Sequence, residues 1–320
     1  MAANGTEAEQ LARVQHDGDL VRLGLAGNLR DFKFLASDGT VRTGAQVDYN
    51  GAPAGYADSP EEVISYVDAH DNETLFDSLM YKLPVATAMD DRVRMNTLSL
   101  ATTALAQTPS FWHAGADLLR SKSLDRNSYD SGDWFNSLDF TGQDNGFGRG
   151  LPPTADNKAK WPIQGPLLVN PALKPAPADI ATAAAQAEDL LRLRFSTPLF
   201  RLGSAALIEQ KVSFPHSGPD ATPGVIVMRV DDSVGKDVDR SLAGMLVVFN
   251  ASDEPVTQQV DALAGHDLRL SPVQARGADD VVQETTWTKA TGAVTVPPRT
   301  VAVLQEAQPQ RHHGHWWDWR

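Results

Sequence analysis

His70, Asp71 and Asn72 stand in a row just after an apolar run, in the stretch VISYVDAHDNETL. A histidine, a carboxylate and an amide delivered together at a strand end can bond sugar hydroxyls or stabilise developing charge. In a parallel sheet flanked by helices, ligands sit beyond the carboxyl ends of the strands, so such a row lands on the binding face. The plainer reading makes Asp71 the cap of a helix starting near Glu73, the commoner job for Asp, and His70 a loop histidine. His113, in SFWHAG after Pro109, ends a second short strand one helix later and faces the same crevice. Its plainer role is a core histidine bonded to backbone.

A third group lies in residues 121–175, which have little periodicity and read as one long loop. Long loops inside a compact chain are functional or disordered. The aromatics Tyr129, Trp134, Phe135, Phe140, Phe147 and Trp161 argue for order. Among them sit Asp125, Arg126, Asp130, Asp133, Asn136, Asp139, Asp144, Asn145 and Arg149. Flat aromatics that stack on pyranose faces, mixed with groups that bond hydroxyls, suit a sugar. Composition alone does not separate that from a solvated acidic loop. The tail residues His312, His313 and His315, with Trp316, Trp317 and Trp319, offer metal or membrane-edge ligands, but a frayed terminus is the simpler reading. No phosphate-cradling loop, no Ser/His/Asp set of familiar spacing and no HExxH zinc motif is present.

The elements that must position these groups follow from the patterning. Thr6 and Glu9 have capping-box spacing before a helix running to about Leu25. GNLRDFKFLASDG reads as loop, and Val63–Val67 as a short strand. Asp90–Gln107 has acids in its first turn and apolar residues at helical spacing. A strand, that helix and the buried strand at SFWHAG make a parallel α/β unit. Ala178–Phe195 is a further helix. From about Ala205 the texture changes to short β-rich runs split by Gly, Pro and Asp: ALIEQKVSF, GVIVMRV, GMLVVFN, VTQQVDA, AVTV and TVAVLQ. That is the pattern of an antiparallel sandwich, with a boundary near residue 200. With its own strands, the sandwich is expected to be the most independently stable piece.

The balance of 41 acidic against 28 basic residues, a net of −13, argues against nucleic acid or an anionic membrane as partner. A neutral sugar is indifferent to that charge. With no cysteine there are no disulfides and no thiolate metal sites. No run of about 18 apolar residues spans a bilayer, and MAANGTEAEQ does not read as a secretory signal.

VISYVDAHDNETLFDSLMYKLP resembles the fourth sequence region of the α-amylase superfamily, glycoside hydrolase family 13. NLRDF and VDYNGAPAGYA before it, then FWHAGADLLRSKSLDRNSYDSGDWFNSLDF and DNGFGRGLPP after it, narrow the likeness to pullulanase-type α-1,6-glucosidases, including limit dextrinases. GMLVVFNASDEPVT and VPPRTVAVL resemble the terminal sandwich of the same enzymes. The resemblance implies the C-terminal part of a (β/α)8 barrel, strands seven and eight with their helices over residues 1–202, then a β-sandwich over 203–306 and an unstructured tail over 307–320. It implies a retaining hydrolysis of α-1,6-glucosidic bonds in a branched α-glucan. Asp71 matches the family's third catalytic carboxylate, a transition-state stabiliser. His70 matches the histidine that bonds the reacting sugar, and His113 the residue ending strand eight. Asn72, Arg120, Asp130, Trp134, Asn136 and Arg149 are the further residues expected to contact substrate. Calcium is the one ion the resemblance brings into view, with no ligand set assignable, and no other cofactor is expected. The family leans toward an extracellular parent, although the residues themselves fix no compartment.

Two family features are missing. Neither a GFRFD-like nucleophile segment nor a GEGW-like acid/base segment occurs before Val63, and only 62 residues precede it. A whole barrel takes about 250 residues. The chain is therefore expected to be the C-terminal portion of a debranching enzyme and inactive by itself. Two rivals stand beside that reading: a non-catalytic glucan-binding accessory protein, and a half-barrel that assembles with a separate N-terminal part.

Overall fold

The computed structural model describes residues 4–309, and the histidines and tryptophans of the tail lie outside them. The first helix, Glu7–Leu25, starts where the capping box puts it: Thr6 Oγ1 accepts from the Glu9 amide, and the Glu9 carboxylate accepts from the Thr6 amide at 2.7 Å. Helix Leu75–Lys82 begins at Thr74, whose hydroxyl accepts from the Asp77 amide at 3.2 Å. Helices Met89–Ala104 and Pro177–Ser196 pack against each other along their length. Helix C-termini leave carbonyls without partners. Here the buried Arg194 guanidinium covers the last helical one, Ala104, and two carbonyls just beyond the helix, Ala106 and Thr108, at 2.6–2.9 Å.

The two strands expected at Val63–Val67 and SFWHAG are extended, but they pair through a single parallel bridge, Ser65 with Ser110. The Ser65 amide donates to the Pro109 carbonyl at 3.0 Å and the Phe111 amide to the Ser65 carbonyl at 2.9 Å. Tyr66 and Phe111 stack edge to face beside it, each about half exposed.

Two stretches depart from the sequence reading. Ala205–Lys211, expected as strand, is a helix; its residues are good helix formers, and Ser204 caps it by accepting from the Leu207 amide at 3.3 Å. The stretch read as loop after Leu25 contains a hairpin, Lys33–Leu35 with Val41–Thr43, closed by Asp38 accepting from the Thr40 amide. Residues 121–175 are not one featureless loop either, since they include the helix Trp161–Leu168 and several single turns.

The C-terminal part forms two antiparallel sheets. Five strands lie in the order Val212–Ser213, Val225–Asp231, Leu242–Asn250, Thr300–Ala307, Leu268–Leu270; three more lie in the order Thr286–Thr288, Ala293–Val296, Val256–Gln259. Parity along the strands divides the larger sheet into two apolar faces. Val225, Val227, Leu246, Val248, Ala302 and Leu304 face the three-stranded sheet in one cluster. Ile226, Met228, Val230, Met245, Val247, Phe249, Val301 and Val303 join a second cluster with Leu23, Leu98, Leu190 and Phe200 of the helical part. The core is thus continuous across residue 202. Polar ties reinforce it: Arg94 grips both oxygens of Asp279 at 2.7 and 3.1 Å, and Arg299 pairs with Asp91 at 2.7 Å. The last strand runs through Ala307, and the Gln308 amide donates to the Ser241 carbonyl at 2.9 Å.

Candidate functional site

The segment from Val67 to Thr74 turns sharply. Asn72 takes a left-handed conformation, φ 62°, which Asn tolerates better than most residues. The turn throws the side chains of His70 and Asp71 into solvent, 84% and 75% exposed, with Nε2 and Oδ1 3.7 Å apart. Asp71 is not the helix cap. That work falls to Thr74 and to Asp68, whose Oδ2 accepts from the Leu75 amide at 2.9 Å. Asp71 and Asn72 line an open polar cavity of about 430 Å³ together with Arg126, Asn127 and Asp156. Asn127 donates to Asp156 across it at 2.9 Å.

A second polar group is buried beside the turn. His113 lies with Nδ1 3.4 Å from Asp68 Oδ2 and Nε2 3.4 Å from Arg120 Nη1. Arg120 also donates to the Ala114 carbonyl at 3.0 Å and to the Asn136 carbonyl at 2.6 Å, which ties the end of the second extended segment to the loop. Burial pulls the Arg120 guanidinium below its ordinary value, with Asp68 opposing.

Within residues 121–175 the order comes from a buried carboxylate. Asp125 is fully buried and accepts from Ser131 Oγ at 2.6 Å, the Asn127 amide at 3.0 Å and Asn157 Nδ2 at 3.0 Å. Trp134 lies largely exposed on the short helix Asp133–Asn136, its indole donating to the Arg149 carbonyl at 2.8 Å. The Arg149 guanidinium returns a bond to the Trp134 carbonyl at 2.9 Å, sits 5.8 Å from the ring and pairs with Asp144. Burial works to raise Asp144, but bonds from Lys174 and Arg149 hold it down at about 2. Asn136 spends its amide on the Ser128 and Gly132 carbonyls, and Asp130 is exposed on the turn Ser128–Asp130.

Of the expected set, Asp71 and Asn72 therefore share the cavity wall. His113, Arg120 and Asn136 form a connected chain, and Trp134 and Arg149 form a mutually bonded pair. The site residues missed from sequence are Asp68, Asn127 and Asp156. Asp68 carries a legible signal, an acid inside the apolar run VISYV–A. Among the described residues no group of three or more His, Asp or Glu is placed to hold a metal ion, and no helix is long and apolar enough to cross a membrane.

The family model for pullulanase-type α-1,6-glucosidases, C-terminal, matches residues 142–307, more than half of the chain. The chain belongs to this family. It is 40% identical over 312 residues to the chloroplastic pullulanase 1 of Arabidopsis thaliana, covering 95% of this chain and 32% of that protein. It is 40% identical to the pullulanase of Klebsiella pneumoniae, covering 92% of this chain and 27% of that one. The maltotriose complex of PulA from Klebsiella pneumoniae superposes with a TM-score of 0.87 over 92% of this chain and 32% of the other. The mixed helical and antiparallel-sheet architecture is thus that of the C-terminal part of a pullulanase. The chain spans about a third or less of the length of these relatives.

Proposed function

We propose that this chain is the C-terminal portion of a debranching enzyme that hydrolyses α-1,6-glucosidic bonds in a branched α-glucan with retention. The observation that carries the reading is the His70–Asp71–Asn72 turn. It follows an extended segment in parallel pairing, with Asp71 and Asn72 opening on a polar cavity. In this reading Val63–Val67 and Ser110–Trp112 are the last two strands of a (β/α)8 barrel. Ile64, Tyr66 and Phe111, apolar yet half exposed, pack against the strands that complete it. That completing N-terminal part is the partner we assign to the apolar face. A glucan substrate is consistent with the maltotriose bound to the Klebsiella relative.

Asp71 stabilises the distorted, positively charged sugar of the transition state, and His70 bonds its hydroxyls. Such a group accelerates the reaction because its interaction strengthens at the transition state. Retaining hydrolysis also needs a nucleophile and an acid/base about 5 Å apart. Neither family motif for them occurs in this sequence, so this chain alone should release no reducing sugar from pullulan. The test is complementation. Purified chain is mixed with a polypeptide carrying the nucleophile and acid/base segments of the Klebsiella pullulanase, and reducing ends are measured on pullulan. Turnover that requires both parts and is lost in Asp71→Asn supports the reading. Turnover by the chain alone that vanishes in Asp71→Ala would show that the catalytic set is different.

A further inference from the structure

Residues 119–125 form a buried strap that passes beneath the His70–Asp71 turn. Leu119, Ser123 and Leu124 are left-handed at φ 55°, 54° and 64°, a conformation that L side chains rarely adopt, and all three are buried. Something must hold a backbone in that shape, and the holder is Asp77. Its carboxylate, buried at the first turn of helix Leu75–Lys82, accepts from Ser121 Oγ at 2.5 Å, from the Lys122 amide at 2.8 Å and from the Leu124 amide at 3.2 Å. With the strap so clasped, the Lys122 side chain runs back under the turn. Its ammonium, on a residue only 3% exposed, donates to the His70 carbonyl at 3.1 Å.

A buried ammonium is costly unless its surroundings repay it. The nearby carboxylates of Asp125, Asp77 and Asp68 favour the charge, while burial and Arg120 oppose it. A core that needed only packing would hold a Leu or Met there. The retained charge reaches the backbone of the residue immediately before Asp71, in a turn that Asn72 bends. We infer that Lys122 is a positioning residue for the His70–Asp71 turn, aimed by the Asp77-clasped strap, and that it fixes the direction in which the Asp71 carboxylate points. This deepens the role proposed for Asp71 and rests on that reading for its significance, but not for its test.

The test is NMR on the intact chain. In the wild type, the Nζ protons of Lys122 should exchange with solvent far more slowly than those of the exposed Lys82 and Lys236. Fast exchange would overturn the inference without recourse to any variant. In Lys122→Met, which keeps the side-chain volume, the His70 ring resonance and the Asn72 amide should shift. Signals of the sandwich should stay in place, and Lys122→Arg should restore part of the wild-type pattern. Asp77→Asn should speed exchange of the Lys122 Nζ protons. Unmoved His70 and Asn72 signals in a folded Lys122→Met chain would show that the turn holds itself, and the inference would fall. These signals report the geometry of the turn and not turnover. Their failure leaves the role of Asp71 untouched, whereas an Asp71→Asn complex with full activity would remove that role and leave the tether standing.

Discussion

Excising residues 203–307 as a separate protein should give an unstable chain, although the strand pattern suggests a self-sufficient sandwich. The magnitude follows from the face the excision uncovers. Phe214, Ile226, Met228, Val230, Met245, Val247, Phe249, Val301 and Val303 are each at most 8% exposed, and all belong to the cluster shared with the helices. Burying such a side chain contributes about 1.5–3 kcal/mol, so nine of them represent about 14–27 kcal/mol. A domain's whole net stability is about 5–15 kcal/mol. Even if half of that surface were reburied by collapse, the loss would rival the total. The Arg94–Asp279 and Arg299–Asp91 pairs are cut as well. The assay is urea unfolding of the intact chain and of the 203–307 fragment, followed by tryptophan emission and by far-UV circular dichroism, with limited proteolysis alongside. The intact chain should unfold in one transition, and the fragment should show no cooperative transition and rapid digestion. A protease-resistant fragment with a sharp transition of its own would refute the reasoning and restore an independent sandwich.

Three further outcomes are expected. In the complemented enzyme, Asp71→Asn should lower kcat by orders of magnitude with a smaller change in KM, since the interaction is made mainly in the transition state; steady-state kinetics on pullulan would show it. Arg194→Leu leaves the carbonyls of Ala104, Ala106 and Thr108 without their buried donor, and should cost about 3–5 kcal/mol in urea unfolding; a change below about 1 kcal/mol would mean that water replaces the guanidinium at no loss. Burial pushes Asp77 up to about 6 from 3.8, against the donors of Ser121, Lys122 and Leu124. Because the folded value is the higher one, the stability linked to this group is fully present below about pH 4 and is lost as the pH rises through about 6. Relative to wild type, Asp77→Asn should therefore gain up to about 3 kcal/mol between pH 4 and pH 7, measured as the difference in unfolding free energy at the two values.

The parts of the fold written in neighbouring residues are the parts the sequence discloses. Thr6 and Glu9 announce a helix start because the capping box needs only four consecutive residues. The helix at Met89 and the helix at Pro177 carry their apolar spacing and first-turn acids within themselves. Ala205–Lys211 reads as strand because a seven-residue helix has too little length for its period to outweigh the β-like run that follows it. The strands at Val225 and Leu242 held a sign that bears on the whole architecture: VIVM and MLVVF are continuous apolar runs, and a strand with one face in water alternates instead. Continuity means that both faces are covered, which requires a third layer, and the helices supply it.

The site divides along the same line. The His70–Asp71–Asn72 row is contiguous and reads directly, whereas Asp68 is missed although an acid in an apolar run is a signal in itself. The clasp was not legible, because Asp77 and Ser121 are 44 positions apart and Lys122 meets His70 across 52. No periodicity links such partners; only the fold brings them together. Those long-range bonds lie beneath a turn whose His70 and Asp71 side chains stand in solvent. The role proposed for the exposed carboxylate of Asp71 requires a fixed backbone beneath it, and an exposed turn is most readily fixed from its buried side. Lys122 reaches the His70 carbonyl from that side, and Asp77 keeps it there.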